Sequence, residues 1–347
     1  MKLGLTLGYW MAQPPTDALD RILEAERLGY DAVFTAESWG SDAFGPLAWW
    51  GSQTSRIRLG TSIVQISART PTSCAMHALT LDHLSDGRLI LGLGVSGPQV
   101  VEGWYGGPFG KPLARTREYV DVIRQVLRRE APVTSPGPHH PLPYTGPGAL
   151  GLGKPLRPIT HPLRADLPIW LGAEGPKNVA LTGEIADGWL PIYYSPKVGA
   201  MYRGWLDDGF AKRDDADAAR ARFEIAPNCS VIVTDDVDTA LDAMRPTLGF
   251  YIGGMGAKDM NFHKQVFARM GYEREAEQIQ GLFFEGKRDE AIAAVPPQMA
   301  ADISLVGSVE KIRDDLAMWE EAGVTMLVVG ATTLDDLRRT AETILDN

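Results

Sequence analysis

Residues 58–97, RLGTSIVQISARTPTSCAMHALTLDHLSDGRLILGLGVSG, constrain the fold more than any other stretch, because they read as strand, loop, helix, tight turn and strand in succession. The run 58–64 is apolar and carries the β-branched Thr61, Ile63 and Val64, the content of a strand buried on both faces. Thr70 and Pro71 start a helix: the threonine hydroxyl can cap it, and proline suits the first helical position, where no N–H is needed. Cys74, Ala75, Ala78 and Leu81 follow at helical spacing, Ser85-Asp86-Gly87 stops the helix, and 88–93 begins the next strand. Such a unit crosses over right-handedly and demands a parallel sheet. Small and polar residues crowd its strand ends (Ser62, Gln65 and Ser67; Gly92, Gly94, Ser96 and Gly97), and the carboxyl ends of parallel strands are where these folds place their ligands.

The alternation extends along the chain. Strands are expected at 2–8, 31–36, 167–172, 188–193, 223–233 and 325–329, and helices at 16–28 (capped by Thr16 or Asp17), 42–54, 111–129, 178–186, 197–213, 307–322 and 334–345. Together with the central unit this makes eight strands, and at 347 residues the pattern predicts one α/β domain over 1–347, a closed (β/α)8 TIM barrel with insertions. Residues 131–166 are rich in Pro, Gly and His and read as an insertion loop acting as an active-site lid. Helical stretches at 236–247, 261–270, 272–285 and 287–293 place a helical insertion over 246–300, before the last strand.

A net charge of −10, with 34 Lys and Arg scattered singly, argues against nucleic acid as a partner. Two cysteines far apart, no membrane-length apolar run and a start directly in a strand predict a soluble cytoplasmic protein. His139-His140 lacks any metal-ligand spacing, His77 and His83 fall on different helix faces, and no metal site is expected. Absent GxSxG, P-loop and CxxC motifs weaken hydrolase, NTPase and thiol-redox functions.

Three candidates remain at the strand ends. Gly92-Leu93-Gly94-Val95-Ser96-Gly97 has the GxGxxG spacing, but a loop is expected after Pro98 where a dinucleotide fold opens a helix; bare backbone under a flat ligand fits better. Ala173-Glu174-Gly175-Pro176-Lys177-Asn178 opens a helix, so free N–H groups at Gly175, Lys177 and Asn178, the helix dipole and the Lys177 ammonium form an anion site, with Gly188 as a second close backbone approach. An ordinary helix start explains the same residues as well. Glu37-Ser38-Trp39 ends the second strand, where a carboxylate can shuttle a proton and an indole can floor a pocket; a solvated acid beside a core tryptophan is the plainer alternative.

The runs AERLGYDAVFTAESW, RLGTSIVQISARTP, HLSDGRLILGLGVSG, IWLGAEGPKNVALTGEIADGW and SLVGSVEKIRDDLAMWEEAGVTMLVV resemble the luciferase-like monooxygenase superfamily, most closely its branch using the deazaflavin coenzyme F420. The resemblance spans nearly the whole chain outside 131–166. It implies a (β/α)8 barrel, a non-prolyl cis peptide at Ser62-Ile63 behind the coenzyme ring, ring contact at Gln65, and phosphate contacts at Ala173, Gly175, Pro176 and Lys177 with Gly188 beside them. It also implies a homodimer, with the Trp49-Trp50 helix as contact. The chain departs from several deazaflavin dehydrogenases in two places: Glu37-Ser38 replaces an Asp-His pair, and Gly97 replaces a catalytic glutamate for which Glu102 is no obvious substitute. Their sugar-phosphate activity therefore does not carry over.

The expected function is hydride exchange between the C5 of coenzyme F420 and a small organic substrate. Glu37 or Ser38 tunes the proton; Ser62, Ile63, Gln65, Gly94, Ala173, Glu174, Gly175, Pro176, Lys177 and Gly188 hold the coenzyme. The alternatives are an FMN-dependent monooxygenase of the same fold and a catalytically inactive binding barrel.

Overall fold

The computed structural model describes residues 1–258 and 260–345; Asp259, inside the expected insertion, and Asp346 and Asn347 lie outside the described residues. Its centre is a parallel sheet in the order β11-β1-β2-β3-β5-β6-β7-β8. The strands are β1 (Lys2–Gly8), β2 (Ala32–Thr35), β3 (Arg58–Thr61), β5 (Leu89–Gly94), β6 (Ile169–Leu171), β7 (Gly188–Trp189), β8 (Glu224–Ile225) and β11 (Met326–Val329). The first and last strands close through backbone bonds from Thr325 N–H to Ile225 O (3.0 Å), Val328 N–H to Pro227 O (2.9 Å) and Cys229 N–H to Val328 O (3.0 Å). The chain is a (β/α)8 barrel.

Every residue of β2, β5, β6 and β11 is buried, as parallel strands packed on both faces require. Inside the barrel, Phe34, Ile90, Trp170, Leu190, Met326 and Val328 pack together, with Ile63 seated on this cluster. The amino-terminal ends are plugged by charge: Arg58 pairs with Asp31 and Glu224, Lys2 pairs with Glu224, and the guanidinium lies 5.6 Å from the Trp170 ring centroid. Burial works to lower the Arg58 pKa, but hydrogen bonds and charge from Glu224 and Asp31 outweigh it and raise it.

Around the barrel lie α1 (Ala18–Leu28), α2 (Phe44–Gly51), α3 (Pro71–Leu84), α4 (Pro98–Gly103), α5 (Pro112–Arg128), α6 (Pro176–Ile185), α7 (Gly199–Phe210), α8 (Ala216–Arg222), α14 (Val309–Glu321) and α15 (Leu334–Ile344). The Thr70 hydroxyl caps α3 from Ser73 N–H at 3.2 Å, and Ser308 caps α14 from Lys311 N–H at 3.3 Å. At the α1 start Asp17 holds the cap position, as one of the two residues expected there, but its carboxylate accepts from Arg21 at 2.9 Å rather than from an N–H of the first turn.

Other elements also depart from the sequence reading. The run 58–64 is two pieces, because the chain turns at Ser62 and Ile63 and resumes as β4 (Val64–Gln65), which pairs with Leu93 and Gly94 of β5. The six-residue α4 stands where a loop was expected after Pro98, since Gly97 is extended and Pro98 takes the first helical position. The dinucleotide reading fails for another reason: β5 belongs to a closed barrel. The run 188–193 keeps only its first two residues as strand. The run 223–233 breaks at Pro227, and β9 (Ser230–Val233) leaves the barrel to pair with the unforeseen β10 (Ser304–Gly307). A helix expected over 236–247 continues as α9 (Val237–Gly254) through Pro246.

With α10 (Phe262–Phe267), α11 (Glu273–Phe284), α12 (Arg288–Ala293) and α13 (Pro297–Ala301), α9 forms a second apolar cluster around Ile252, Phe267, Ile279 and Met299. The 131–166 segment is irregular, with antiparallel bridges Val133–Leu156 and Ser135–Leu142. Its polar contacts run along the outer side of α5 and the end of α3. The N–H groups of His139 and His140 reach Glu118, Arg129 reaches Pro158 O, and His83 meets His161 O at 2.8 Å. His140 also stands edge-on to Tyr119 at 5.3 Å, and the Tyr119 hydroxyl donates to Arg69 O in the loop after β4.

Candidate active site

At the carboxyl end of the barrel the segment after β3 turns in front of the interior. The Ser62–Ile63 peptide is cis. Ser62 N–H donates to Thr35 O at 2.7 Å and Glu37 N–H donates to Ile63 O at 3.2 Å, so the turn is tied to β2 on both sides. Gly94 leaves the space it fills: a Cβ there would lie 2.7 Å from Ile63 Cδ1.

Glu37 holds this segment in place. Its carboxylate accepts from Gln65 N–H at 3.0 Å and from both ends of the Arg69 guanidinium at 3.3 and 2.6 Å, while its carbonyl accepts from the Gln65 amide at 3.0 Å. The Glu37 side chain is 3% exposed and that of Arg69 16%. Burial works to lower the Arg69 pKa, but the hydrogen bond and charge of Glu37 overcome it and raise it. The carboxylate expected to tune a proton is thus committed to an internal ion pair. Ser38, half-buried beside it, has no hydrogen-bond partner among the described residues.

Arg69 was not foreseen, because its role depends on a carboxylate 32 residues away. The loop that carries it is fixed further: Tyr119 donates its hydroxyl hydrogen to Arg69 O at 3.1 Å, and Arg115 donates to Ser67 at 3.2 Å. Cys74 lies behind it, its thiol pushed up to about 11 by burial. Tyr105 lies near the pair, its pKa raised by burial and then by the charge of Glu37. Trp39 and Trp104 stand more than half exposed.

Gln65 is 4% exposed, and its Oε1 is buried without a hydrogen-bond partner. An acceptor so placed fits a ring N–H of a bound heterocycle, since leaving it unmet costs roughly 1–3 kcal/mol. The anion cradle is present in part. Gly175 is extended at the cap of α6, a Cβ on it would meet nothing within 4 Å, and neither Gly175 N–H nor Lys177 N–H has a partner among the described residues. Asn178 N–H, counted as free in the sequence, instead donates to Gly175 O at 3.0 Å. Pro176 occupies the first helical position and Ala173 is buried, its carbonyl accepting from Trp189 Nε1 at 2.8 Å. Gly188 is not at the opening: a Cβ there would lie 2.6 Å from Trp170 Cδ1, so its smallness serves the barrel interior.

Glu174, within the same segment, meets the insertion. Its Oε1 lies 2.7 Å from His263 Nδ1 of α10, an ion-pair approach too bent for a hydrogen bond. Tyr193, in the loop after β7, and Tyr251, on α9, stand edge-on to the imidazole with centroids at 5.9 and 5.0 Å. No local motif announces His263, whose partner is 89 residues earlier by subtraction of the two numbers. Among the described residues no group of three or more His, Cys, Asp and Glu could hold a metal.

Residues 4–326 match the family model for luciferase-like monooxygenases, and the chain belongs to that family. It is 59% identical over 338 residues, 97% of each chain, to a Mycobacterium tuberculosis protein provisionally named a coenzyme F420-dependent oxidoreductase. Among solved structures it superimposes on the coenzyme F420-dependent tetrahydromethanopterin reductase of Methanopyrus kandleri with a TM-score of 0.78 and 25% identity, covering 99% and 98% of the two chains. An F420-dependent secondary alcohol dehydrogenase bound to an F420–acetone adduct shares the fold at a TM-score of 0.76 and 17% identity, covering 99% and 98%.

The clamp predicts an asymmetry in stability. Arg69→Met leaves a buried carboxylate uncompensated and is expected to lower the unfolding free energy by about 3–5 kcal/mol in urea titrations. Adding Glu37→Gln should restore most of it, and a double variant as unstable as the single one would contradict the clamp.

Proposed function

We propose that this chain is an oxidoreductase that uses coenzyme F420 to reduce or oxidise a small organic substrate. The single observation carrying the reading is the buried, unpartnered Gln65 Oε1 beside Ile63, at the end of a barrel whose family and 59% identical relative point to that coenzyme. When bound, the deazaflavin supplies or accepts a hydride at its C5.

The protein's own residues position and stabilise. The Ser62–Ile63 turn backs the ring, and Gln65 Oε1 accepts from a ring N–H. The free N–H groups of Gly175 and Lys177, with the Lys177 ammonium, hold the phosphate at the start of α6. Glu37 and Arg69 keep the turn rigid, which is what orientation for hydride transfer requires. Ser38 is left as a polar contact for the substrate, and Trp39, Trp104 and Tyr105 wall its pocket. Phe262 and His263 of α10 approach Phe109 and Glu174 from the loops after β5 and β6, so we assign the covering role to the α9–α10 insertion rather than to 131–166.

We place the enzyme in the cytoplasm, supported by two buried free thiols. Among the described residues no helix is long and apolar enough to cross a membrane. The exposed Trp49 on α2, at 74%, supports a homodimer packed through that helix; light scattering should return twice the chain mass, and a monomer mass would remove this part.

Fluorescence titration under anaerobic conditions tests the coenzyme. Micromolar binding of F420 is expected, with FMN bound far more weakly. Lys177→Ala should weaken F420 about 10- to 100-fold, the worth of a charge-assisted hydrogen bond. Gly175→Ala should weaken it too with no loss of stability, because its Cβ meets nothing in the protein. Preference for FMN, or F420 affinity untouched by both substitutions, would overturn the assignment.

A further inference from the structure

Glu37 is engaged by Arg69, and a second ionisable cluster lies at this end of the barrel, where Glu174 meets His263. His263 is, among the described residues, the one histidine paired with a carboxylate. His77 turns to its own helix at Ser73 O, His83 meets His161 O, and His139 and His140 belong to the segment along α5. Glu174 sets its carboxylate charge 2.7 Å from Nδ1, and Nε2, on a side chain 18% exposed, has no partner among the described residues. A carboxylate charge beside an imidazole whose far nitrogen is free favours the protonated ring and leaves that nitrogen to pass a proton, as a general acid–base must.

We propose that His263, with the Glu174 carboxylate facing its Nδ1, exchanges the proton with the polar atom of the substrate while hydride moves at the adjacent carbon. This rests on the coenzyme F420 reading above. In reduction, the hydride pair forms the new C–H bond as the π bond of C=O or C=N breaks. Its electrons on oxygen or nitrogen take the proton from Nε2 of the imidazolium, and solvent returns a proton to His263. The coenzyme leaves oxidised by two electrons, the substrate is reduced by two, and oxidation runs the same steps in reverse.

The surroundings suit the role. The groups facing the ring are Glu174 just after β6, Tyr193 from the loop after β7 and Tyr251 from α9, with Tyr9 near Tyr251. Burial raises both phenols, Tyr251 to about 12 and Tyr193 well above its ordinary value, so neither competes as an acid near neutrality. On α10 itself, Lys264 is engaged elsewhere, with Gln280 at 2.8 Å and Glu277 at 2.6 Å. Imidazole is the side chain that gives and takes protons in that range.

Two readouts test this on the full-length protein. The first maps diethyl pyrocarbonate modification by mass spectrometry with and without saturating F420; His263 should be modified in the free protein and protected by the coenzyme. The second compares wild type with His263→Gln in anaerobic turnover of a panel of ketones, enones and imines with reduced F420. The variant should lose about 100-fold or more in kcat, lose the pH-dependent limb that the wild type shows, and bind F420 within about twofold of wild type. Glu174→Gln, which keeps the imidazole but removes the charge facing it, should lose about tenfold and stay reactive to the reagent. Modification of His263 unaffected by F420, or a variant with wild-type kcat and pH profile, overturns the proposal while leaving the coenzyme assignment intact. Failure of the wild type to bind F420 overturns both. If no compound in the panel turns over, the protection result alone decides.

Discussion

A buried carboxylate organises the business end of this barrel. Glu37 leaves the end of β2 and meets Gln65 N–H and the Arg69 guanidinium, and so fixes the segment 62–69 across the mouth. The clamp lies where β3 ends at Thr61 and pairing resumes at Val64 and Gln65, with Ile63 between them on the interior cluster of Phe34 and Trp170. The cost of removing charge from water is offset only because the pair is complete. The same clamp engages both Glu37 carboxylate oxygens, while the Oε1 of its neighbour Gln65 is a buried acceptor with no partner among the described residues. Rigid support and an unmet polar atom are what a flat ligand needs from a preformed site.

Much of the architecture could be read from local pattern, for physical reasons. Thr70-Pro71 and Ser308 carry their capping chemistry within one helical turn, and β2 and β5 are buried on both faces, so a short apolar run suffices to reveal them. The parallel sheet followed from a single crossover. Where tertiary contacts decide, local pattern failed. Pro227 splits an apolar run whose second half finds a partner 74 residues on, Ser304 opposite Ser230 by subtraction of their numbers. Pro246 sits inside α9, where packing of Leu248 and Ile252 against α11 outweighs one lost donor. Gly188 is small for the sake of Trp170, which no spacing rule indicates.

The site divided in the same way. The segment 173–177 is contiguous in sequence, so residue type and spacing exposed it. The turn at Ser62–Ile63 came only from the family resemblance, because the run 58–64 reads locally as one strand. Arg69 and His263 each depend on a carboxylate brought from another strand end, and only closure of the barrel makes those pairs. The result is a mouth with two ionic devices of opposite use. One is complete and buried, and it holds geometry. The other leaves one imidazole nitrogen free, and it lies where the insertion helices meet the ends of β6 and β7.

The central claim is that this barrel brings a deazaflavin hydride to a substrate carbon. Anaerobic turnover with reduced F420 carrying deuterium at C5 tests it most directly, with the product analysed by mass spectrometry and NMR. The account predicts one deuterium per product molecule, bound to carbon, with no label entering that position from deuterated water. Deuterium appearing in solvent, with turnover that depends on oxygen, would contradict it.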